Sequence, residues 1–254
     1  MVNTDRAGFQ NVEALEEFMT RPSPELIADL ARAPGDLVIL GVGGKMGPTL
    51  ARLAKRAAPG RRVIGVARFS EAGLRAKLES QGIECIACDL LDRAALDRLP
   101  RAPNVVFMAG HKFGVAGGTA GSAAFTWAMN VGVPYMVADA FRDSRIVVFS
   151  TACVYPYAEV AGAGAREDTP TLPPAGDYAT SCVGREKAFE YGFGLFPPAP
   201  RNGLPPEEKP GQQHDEGKRD RGNIEKFPGT SPRCRRRGHG ALRCYPKRML
   251  DELS

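Results

Sequence analysis

Between Asp36 and Pro48 the chain reads DLVILGVGGKMGP, and this stretch carries the most specific chemistry in the sequence. The apolar run Leu37–Leu40 stops at a glycine cluster, and a helix-like segment follows. Gly41, Gly44 and Gly47 fit G-x-x-G-x-x-G, and Gly41, Gly43 and Gly47 fit a looser G-x-G-x-x-x-G. Glycines at such spacing let a strand turn sharply, let backbone approach a pyrophosphate, and let a helix pack on a strand. With Lys45 and Met46 in the turn, a phosphate would rest on free N–H groups at a helix N-terminus, where the dipole favours anions.

Other reactive residue types are weaker candidates. Cys85 and Cys88 form C-x-x-C on a predicted strand, where positions three apart face opposite sides, so they read as buried thiols. Cys234, His239 and Cys244 match no familiar zinc spacing, and no metal site is expected. Arg235–Arg237 would attract nucleic acid electrostatically, but without interleaved aromatics the run reads as a solvated tail. His111 follows a predicted strand and reads as a loop anchor before it reads as an acid or base.

The elements that must position the glycine turn alternate regularly. Two short helices, 11–19 and 23–33, come first, the second with Ser23 as N-cap and Pro24 at its first position. Strands are expected at 37–40, 62–67, 83–87, 104–108 and 145–149. Helices are expected at 46–58, 71–80, 93–99, 125–141 and 178–191. This alternation predicts an α/β fold, a doubly wound parallel sheet with helices on both faces. Ligands of such a sheet bind outside the carboxyl ends of the strands, where the glycine turn lies. After the second strand, sites for NAD place an acid that receives the ribose hydroxyls. Ala67-Arg68 stands there instead, so NADP is expected over NAD, with NAD still open.

The 254 residues suffice for one large domain, and 43% hydrophobic content suits a globular chain. The net charge of +5 is uneven: residues 192–254 hold 13 Lys and Arg against 8 Asp and Glu, whereas residues 1–191 hold 21 of each. The basic balance therefore gives no reason to expect the main domain to bind nucleic acid. No apolar run approaches a membrane span of roughly 18–20 residues, and MVNTDRAGFQ lacks a basic and apolar leader. A cytoplasmic location, with the six cysteines as thiols, is the expectation. The expected division is a helical lead at 1–35, a dinucleotide-binding domain at 36–191, and a tail at 192–254. Nine Pro and nine Gly in that tail, without period, read as disorder or as the product of a frameshift.

The order of elements and motifs resembles the extended short-chain dehydrogenase/reductase family, also called the NAD-dependent epimerase/dehydratase family, over residues 36–191. Gly41, Gly44 and Gly47 match its glycine motif. Asp89-Leu90 matches its adenine-contacting acidic position, and the segment Asn104–Gly110, which includes Ala109, resembles its fourth strand. Asn130 matches the helix asparagine that orders the site, and FSTACVYP places Thr151 at the catalytic Ser/Thr position. Glu167-Asp-Thr-Pro170 resembles a loop element, and Tyr178-Ala-Thr-Ser181 resembles the start of Tyr-x-x-x-Lys. The resemblance implies a nucleotide-sugar or similar polyol as substrate, with Tyr178 as acid/base and Thr151 polarising the substrate oxygen.

The motif lysine is absent, because Cys182 stands at its position. In the family that lysine binds the ribose hydroxyls and lowers the tyrosine pKa. Lowering a phenol from near ~10 by about three units supplies on the order of 4 kcal/mol toward tyrosinate. Cys182 brings no charge, and Lys187 lies more than a full turn further on and points elsewhere. Two readings follow: an oxidoreductase of impaired activity, or a non-catalytic dinucleotide-binding protein, a sensor or remnant. The sixth strand and the substrate domain that the family adds after the tyrosine helix are not readable. That leaves the fifth strand as an exposed edge and a homodimer as an open expectation.

Overall fold

The computed structural model describes residues 8–112 and 123–192, and the backbone alone of 120–122, 235–237 and 241–244. Two lead helices, α1 (Val12–Met19) and α2 (Pro24–Ala31), are capped by Asn11 and Ser23 side chains. Then strands and helices alternate: β1 (Leu37–Leu40), α3 (Gly47–Ala57), β2 (Val63–Ala67), α4 (Leu74–Ser80) and β3 (Glu84–Ala87). They continue with α5 (Arg93–Asp97), β4 (Asn104–Phe107), α6 (Ala120–Trp127), α7 (Val133–Ala140), β5 (Arg145–Phe149) and α8 (Asp177–Tyr191). A π-helical turn, Ala128–Gly132, joins α6 to α7.

The five strands are parallel in the order β3-β2-β1-β4-β5. The chain builds outward from β1 in one direction through β2 and β3, and in the other through β4 and β5. The switch point lies between β1 and β4, and a crevice opens there at the carboxyl ends. Strand parity divides the core. Val38, Leu40, Ile64, Val66, Val105 and Phe107 face one side, with Val133, Val137, Phe141 and Phe189 packed upon them. Leu37, Ile39 and Val63 face the other, against Ala51, Ala54, Leu74 and Leu78. Each fully buried aliphatic side chain contributes about 1.5–3 kcal/mol. Cys85 and Cys88 fall in opposite layers, both as free thiols.

The lead helices pack on α3 through charge as well as apolar surface. Glu17 receives Arg52 at 2.7 Å and Arg56 at 2.6 Å. Between α2, α3 and the N-terminal ends of β4 and β5 lies a groove of about 430 Å³, bounded by Leu30, Leu50, Leu53, Val106 and Val147. It is at the opposite end of the strands from the glycine turn.

The bare edge expected at β5 is corrected. β7 (Ala241–Cys244) runs antiparallel along β5, and β6 (Arg235–Arg237) lies antiparallel outside it. The strands come from the basic stretch whose Pro and Gly content hides any pattern. Cys234 and His239, with the rest of 193–234 and 245–254, lie outside the described residues, as do 113–119 of the expected loop after β4.

Candidate active site

The glycine turn is built by close contacts that exclude a side chain. Gly41 has φ +92, and a Cβ on it would meet the Ala109 backbone nitrogen at 2.6 Å. Its N–H donates to the Val66 carbonyl at 2.9 Å, which ties the turn to β2. A Cβ on Gly47 would lie 2.2 Å from the Val42 carbonyl oxygen, so only glycine lets α3 start this close to the turn. Met46 precedes α3 and gives it no side-chain cap; the Gly47 N–H donates to the Gly44 carbonyl at 3.1 Å and Pro48 has none, so Thr49 carries the first N–H left without a side-chain acceptor.

A groove of about 280 Å³ opens over this turn. Of the residues expected to hold cofactor, Gly41, Gly43, Gly44, Arg68, Asp89, Leu90 and Ala109 line it. Lys45, Met46, Gly47 and Cys182 are not among its lining residues; Gly47 is buried in the helix start and Cys182 lies in the core. Asp89 spends one oxygen on the Leu91 N–H at 3.0 Å. Arg68 is exposed and forms no ion pair among the described residues. The sequence reading missed Phe69, Glu71, Gly110 and Met129 in the lining. Phe69 has φ +51, an uncommon conformation for a bulky residue, and it sits where the chain leaves β2 beside the groove.

A second cluster lies behind the far end of this groove. Asn130, fully buried in the π-helical turn, satisfies its entire side-chain capacity. Its Oδ1 accepts from the His111 N–H at 2.8 Å and from Arg185 Nη2 at 2.8 Å. Its Nδ2 donates to the His111 carbonyl at 2.9 Å and to Ser181 Oγ at 3.0 Å. Asn130 therefore clamps the loop after β4 to α8. His111 also meets Thr126 Oγ1 through Nδ1 at 3.0 Å, which fits the loop-anchor reading.

Thr151 follows β5 and caps a short 3-10 turn, Ala152–Val154, accepting from the Cys153 N–H at 3.3 Å. Its side chain also hydrogen-bonds to that of half-buried Tyr178, and Tyr178 in turn bonds to Cys182. The structure thus brings Thr151, Tyr178 and Cys182 into contact. Burial pushes the Tyr178 phenol up from its ordinary value, with the neighbouring Cys182 adding to the rise; the Thr151 bond and the Arg185 charge oppose it. Burial likewise pushes the fully buried Cys182 thiol up, against the Arg185 charge and the Tyr178 bond. Lys187 turns outward to Glu190 at 2.6 Å.

Sequence reasoning did not single out Arg185, Glu186 or Ser150. Arg185 and Glu186 are two adjacent charged residues, both buried, and Glu186 accepts from Ser150. The helical stripe Tyr178, Cys182, Arg185 was the available signal for the first.

Residues 37–190 match the model of the NAD dependent epimerase/dehydratase family, and the chain belongs to that family. Among solved structures, the Bordetella bronchiseptica enzyme WbmH in complex with NAD+ matches with a TM-score of 0.51 and 22% identity, over 62% of this chain and 52% of that one. UDP-glucuronic acid 4-epimerase from Bacillus cereus in complex with NAD matches with a TM-score of 0.47 and 19% identity, over 60% and 50%. ADP-L-glycero-D-manno-heptose-6-epimerase of Helicobacter pylori matches with 0.48 and 16%, over 61% and 50%. The chain thus spans about half the length of these structures. No curated protein sequence matches it. The likeness to WbmH supports the Rossmann-like fold. Among the described residues, no helix is long and apolar enough to cross a membrane.

Proposed function

We propose that this protein binds a nicotinamide dinucleotide over its glycine turn and belongs, by activity, with enzymes acting on a nucleotide-sugar or similar polyol. The observation that carries the reading is the pairing of two built features: a turn that tolerates no side chain at Gly41 or Gly47, and a Thr151–Tyr178 contact behind it. The residues present fit the cofactor, because the start of α3 has no side-chain cap and presents the Thr49 N–H beside the glycine turn, and the groove above it has room. When bound, the dinucleotide supplies a hydride acceptor and donor. Tyr178 would hold or release the substrate hydroxyl proton at its phenol oxygen. Thr151 would polarise the substrate oxygen, and Asn130 would keep the wall between them fixed.

Turnover is expected to be impaired. A phenol pushed up by burial is a weak base at neutral pH, and Cys182 adds no charge to correct it. A non-catalytic dinucleotide-binding role is the second reading, favoured by that same residue. The free thiols of Cys85, Cys88, Cys153 and Cys182 suit a reducing compartment, and cytoplasm is the proposed location. Arg68 on the groove favours NADP, since a guanidinium pairs with a 2′-phosphate. Glu71 on the same rim works against it. Calorimetry with NADP+ and NAD+ at one salt concentration tests the assignment on wild type and Arg68→Ala. The expected result is tighter NADP+ binding that Arg68→Ala loses about tenfold, with NAD+ affinity little changed. Equal losses for both would remove Arg68 from the site. A folded sample that binds neither would end the dinucleotide reading. A homodimer, with sedimentation as its test, remains part of the proposal.

A further inference from the structure

Cys182 leaves the tyrosine motif without its cation, yet a buried cation stands one turn further along the same helix. Tyr178, Cys182 and Arg185 occupy positions i, i+4 and i+7 of α8, a single stripe of an α-helix. Helical side chains lean toward the N-terminus, so Arg185 leans back toward Cys182 and Tyr178. Its side chain is almost fully buried, with 7% of the residue exposed. Nη2 donates to Asn130 Oδ1 at 2.8 Å, and Nη1 donates to the Phe149 carbonyl at 3.2 Å. Nε is buried with no hydrogen-bond partner. Neither acceptor is a carboxylate, and among the described residues no ion pair involves Arg185. Glu186, next on the helix, is turned to Ser150 instead.

The guanidinium also lies against the groove. A Cβ on Gly110 would meet Arg185 Nη2 at 2.3 Å, and Gly110 lines the groove over the glycine turn. Arg185 therefore sits between the groove floor, Asn130 and the tyrosine. Burying a cation with no counter-charge and an orphaned donor lowers stability, so the arrangement is not explained by what it contributes to folding.

We infer that Arg185 is the positioning cation of this site: it fixes Asn130 and turns a positive field on the Tyr178 hydroxyl across Cys182, in place of the missing lysine. The inference rests on the reading of Tyr178 as the site's acid/base. The groups that face Tyr178 among the described residues are Thr151 from the segment after β5, and Cys182 and Arg185 from α8 itself. Cys153 and Glu186 act on Cys182. Of these, Arg185 is the cation, and its charge works against the upward push that burial gives both Tyr178 and Cys182. Arginine keeps its charge throughout the range in which tyrosine titrates, whereas lysine does not.

The test is the ultraviolet titration of Tyr178, read as the difference between each protein and its Tyr178→Phe counterpart, with thermal melting alongside. Removing the charge in Arg185→Gln is expected to raise the Tyr178 midpoint and lower the tyrosinate fraction at a fixed alkaline pH by roughly two- to threefold. Arg185→Lys is expected to fall between that variant and wild type, because the lysine itself loses its proton in the same range. A purely structural arginine would shift the melting temperature of both variants and leave the Tyr178 titration where it was, and that result would overturn the inference. If Arg185→Gln does not fold, Arg185→Met, which keeps the long unbranched stem and removes the charge, decides: a midpoint equal to wild type rejects the proposal, and a raised one supports it. Calorimetry with NAD+ and NADP+ on wild type is run separately. Failure to bind either sinks the proposed function, while the ranking of titrations judges Arg185 alone.

Discussion

Replacing Asn130 by alanine removes a side chain that joins the π-helical turn, the loop after β4 and α8. Four hydrogen bonds are lost together: two with the His111 backbone, one with Ser181 and one with Arg185. A neutral bond contributes about 0.5–1.5 kcal/mol net and a bond to a charged group about 1.5–3 kcal/mol, so the set amounts to roughly 3–7 kcal/mol. His111 is half-buried, which favours the lower half of that range. Against a total stability of about 5–15 kcal/mol the loss is large. At about 2–4 °C per kcal/mol for a chain of this size, the melting temperature is expected to fall by about 10 °C. Thermal unfolding by circular dichroism measures it, and urea unfolding should show a lower midpoint with an unchanged slope. Asn130→Asp keeps the acceptor for Arg185 but loses both donors, and should fall between alanine and wild type. A melting temperature of Asn130→Ala within about 2 °C of wild type would refute the reasoning, since it would mean the clamp carries no load.

Gly47→Ala forces a Cβ to within 2.2 Å of the Val42 carbonyl oxygen, a backbone atom that cannot rotate away. The start of α3 must shift, and dinucleotide affinity by calorimetry should drop at least about tenfold, because the pyrophosphate N–H groups move with it; unchanged affinity would place the cofactor elsewhere. Glu17 is held below the ordinary carboxylate range by its hydrogen bond to Arg56 and by nearby arginine charge. Its contribution is complete above the unfolded value near about 4.3 and is lost as pH falls through the lower folded value. Protection of the amides in 12–19, taken relative to their intrinsic exchange rates at each pH, should therefore fall in acid, with Glu17→Gln already less protected at neutral pH; equal protection in both proteins at neutral pH would contradict this. Cys182→Lys restores a cation one turn from Tyr178 and should lower the tyrosine titration midpoint and tighten cofactor binding. If neither moves, position 182 does not act on the site.

Much of the α/β scaffold was legible because its signals are local. β1 is four apolar residues ended by glycine, and parity alone divides its side chains between the two layers. The alternation of strands with helices fixed the parallel sheet, and the switch point followed from chain order. Boundaries moved where a single residue controls the backbone. The helix expected from 71 begins at Leu74, because Gly73, at φ +78, precedes it. The helix expected as one piece over 125–141 is broken by a π-helical turn. Pro134 has no N–H for the Asn130 carbonyl four residues back, and its ring crowds that oxygen. The proline was visible in the sequence, and with it the reason Asn130 sits in an irregular turn. What local pattern could not show is the partner of β5. Ala241–Cys244 is nearly a hundred residues away in a Pro- and Gly-rich stretch, and a pairing made by backbone alone leaves little trace in side-chain periodicity.

Arg185 was illegible for a different reason. A charge at a helical position reads as solvated by default, and α8 shows no clear apolar stripe to contradict that reading. Only packing reveals that the loop after β4 and the end of β5 close over it, through Gly110 and the Phe149 carbonyl. Those same contacts tie three elements to one residue: β5 through Phe149, the π-helical turn through Asn130, and the groove floor through Gly110. Thr151 and Tyr178 also meet across the junction of β5 and α8. A displacement of α8 would therefore separate Tyr178 from Thr151 and reshape the groove at once. The π-helical turn holds Asn130 buried against Arg185 of α8, so a local irregularity forced by one proline bears on both the groove and the Tyr178 side of the junction.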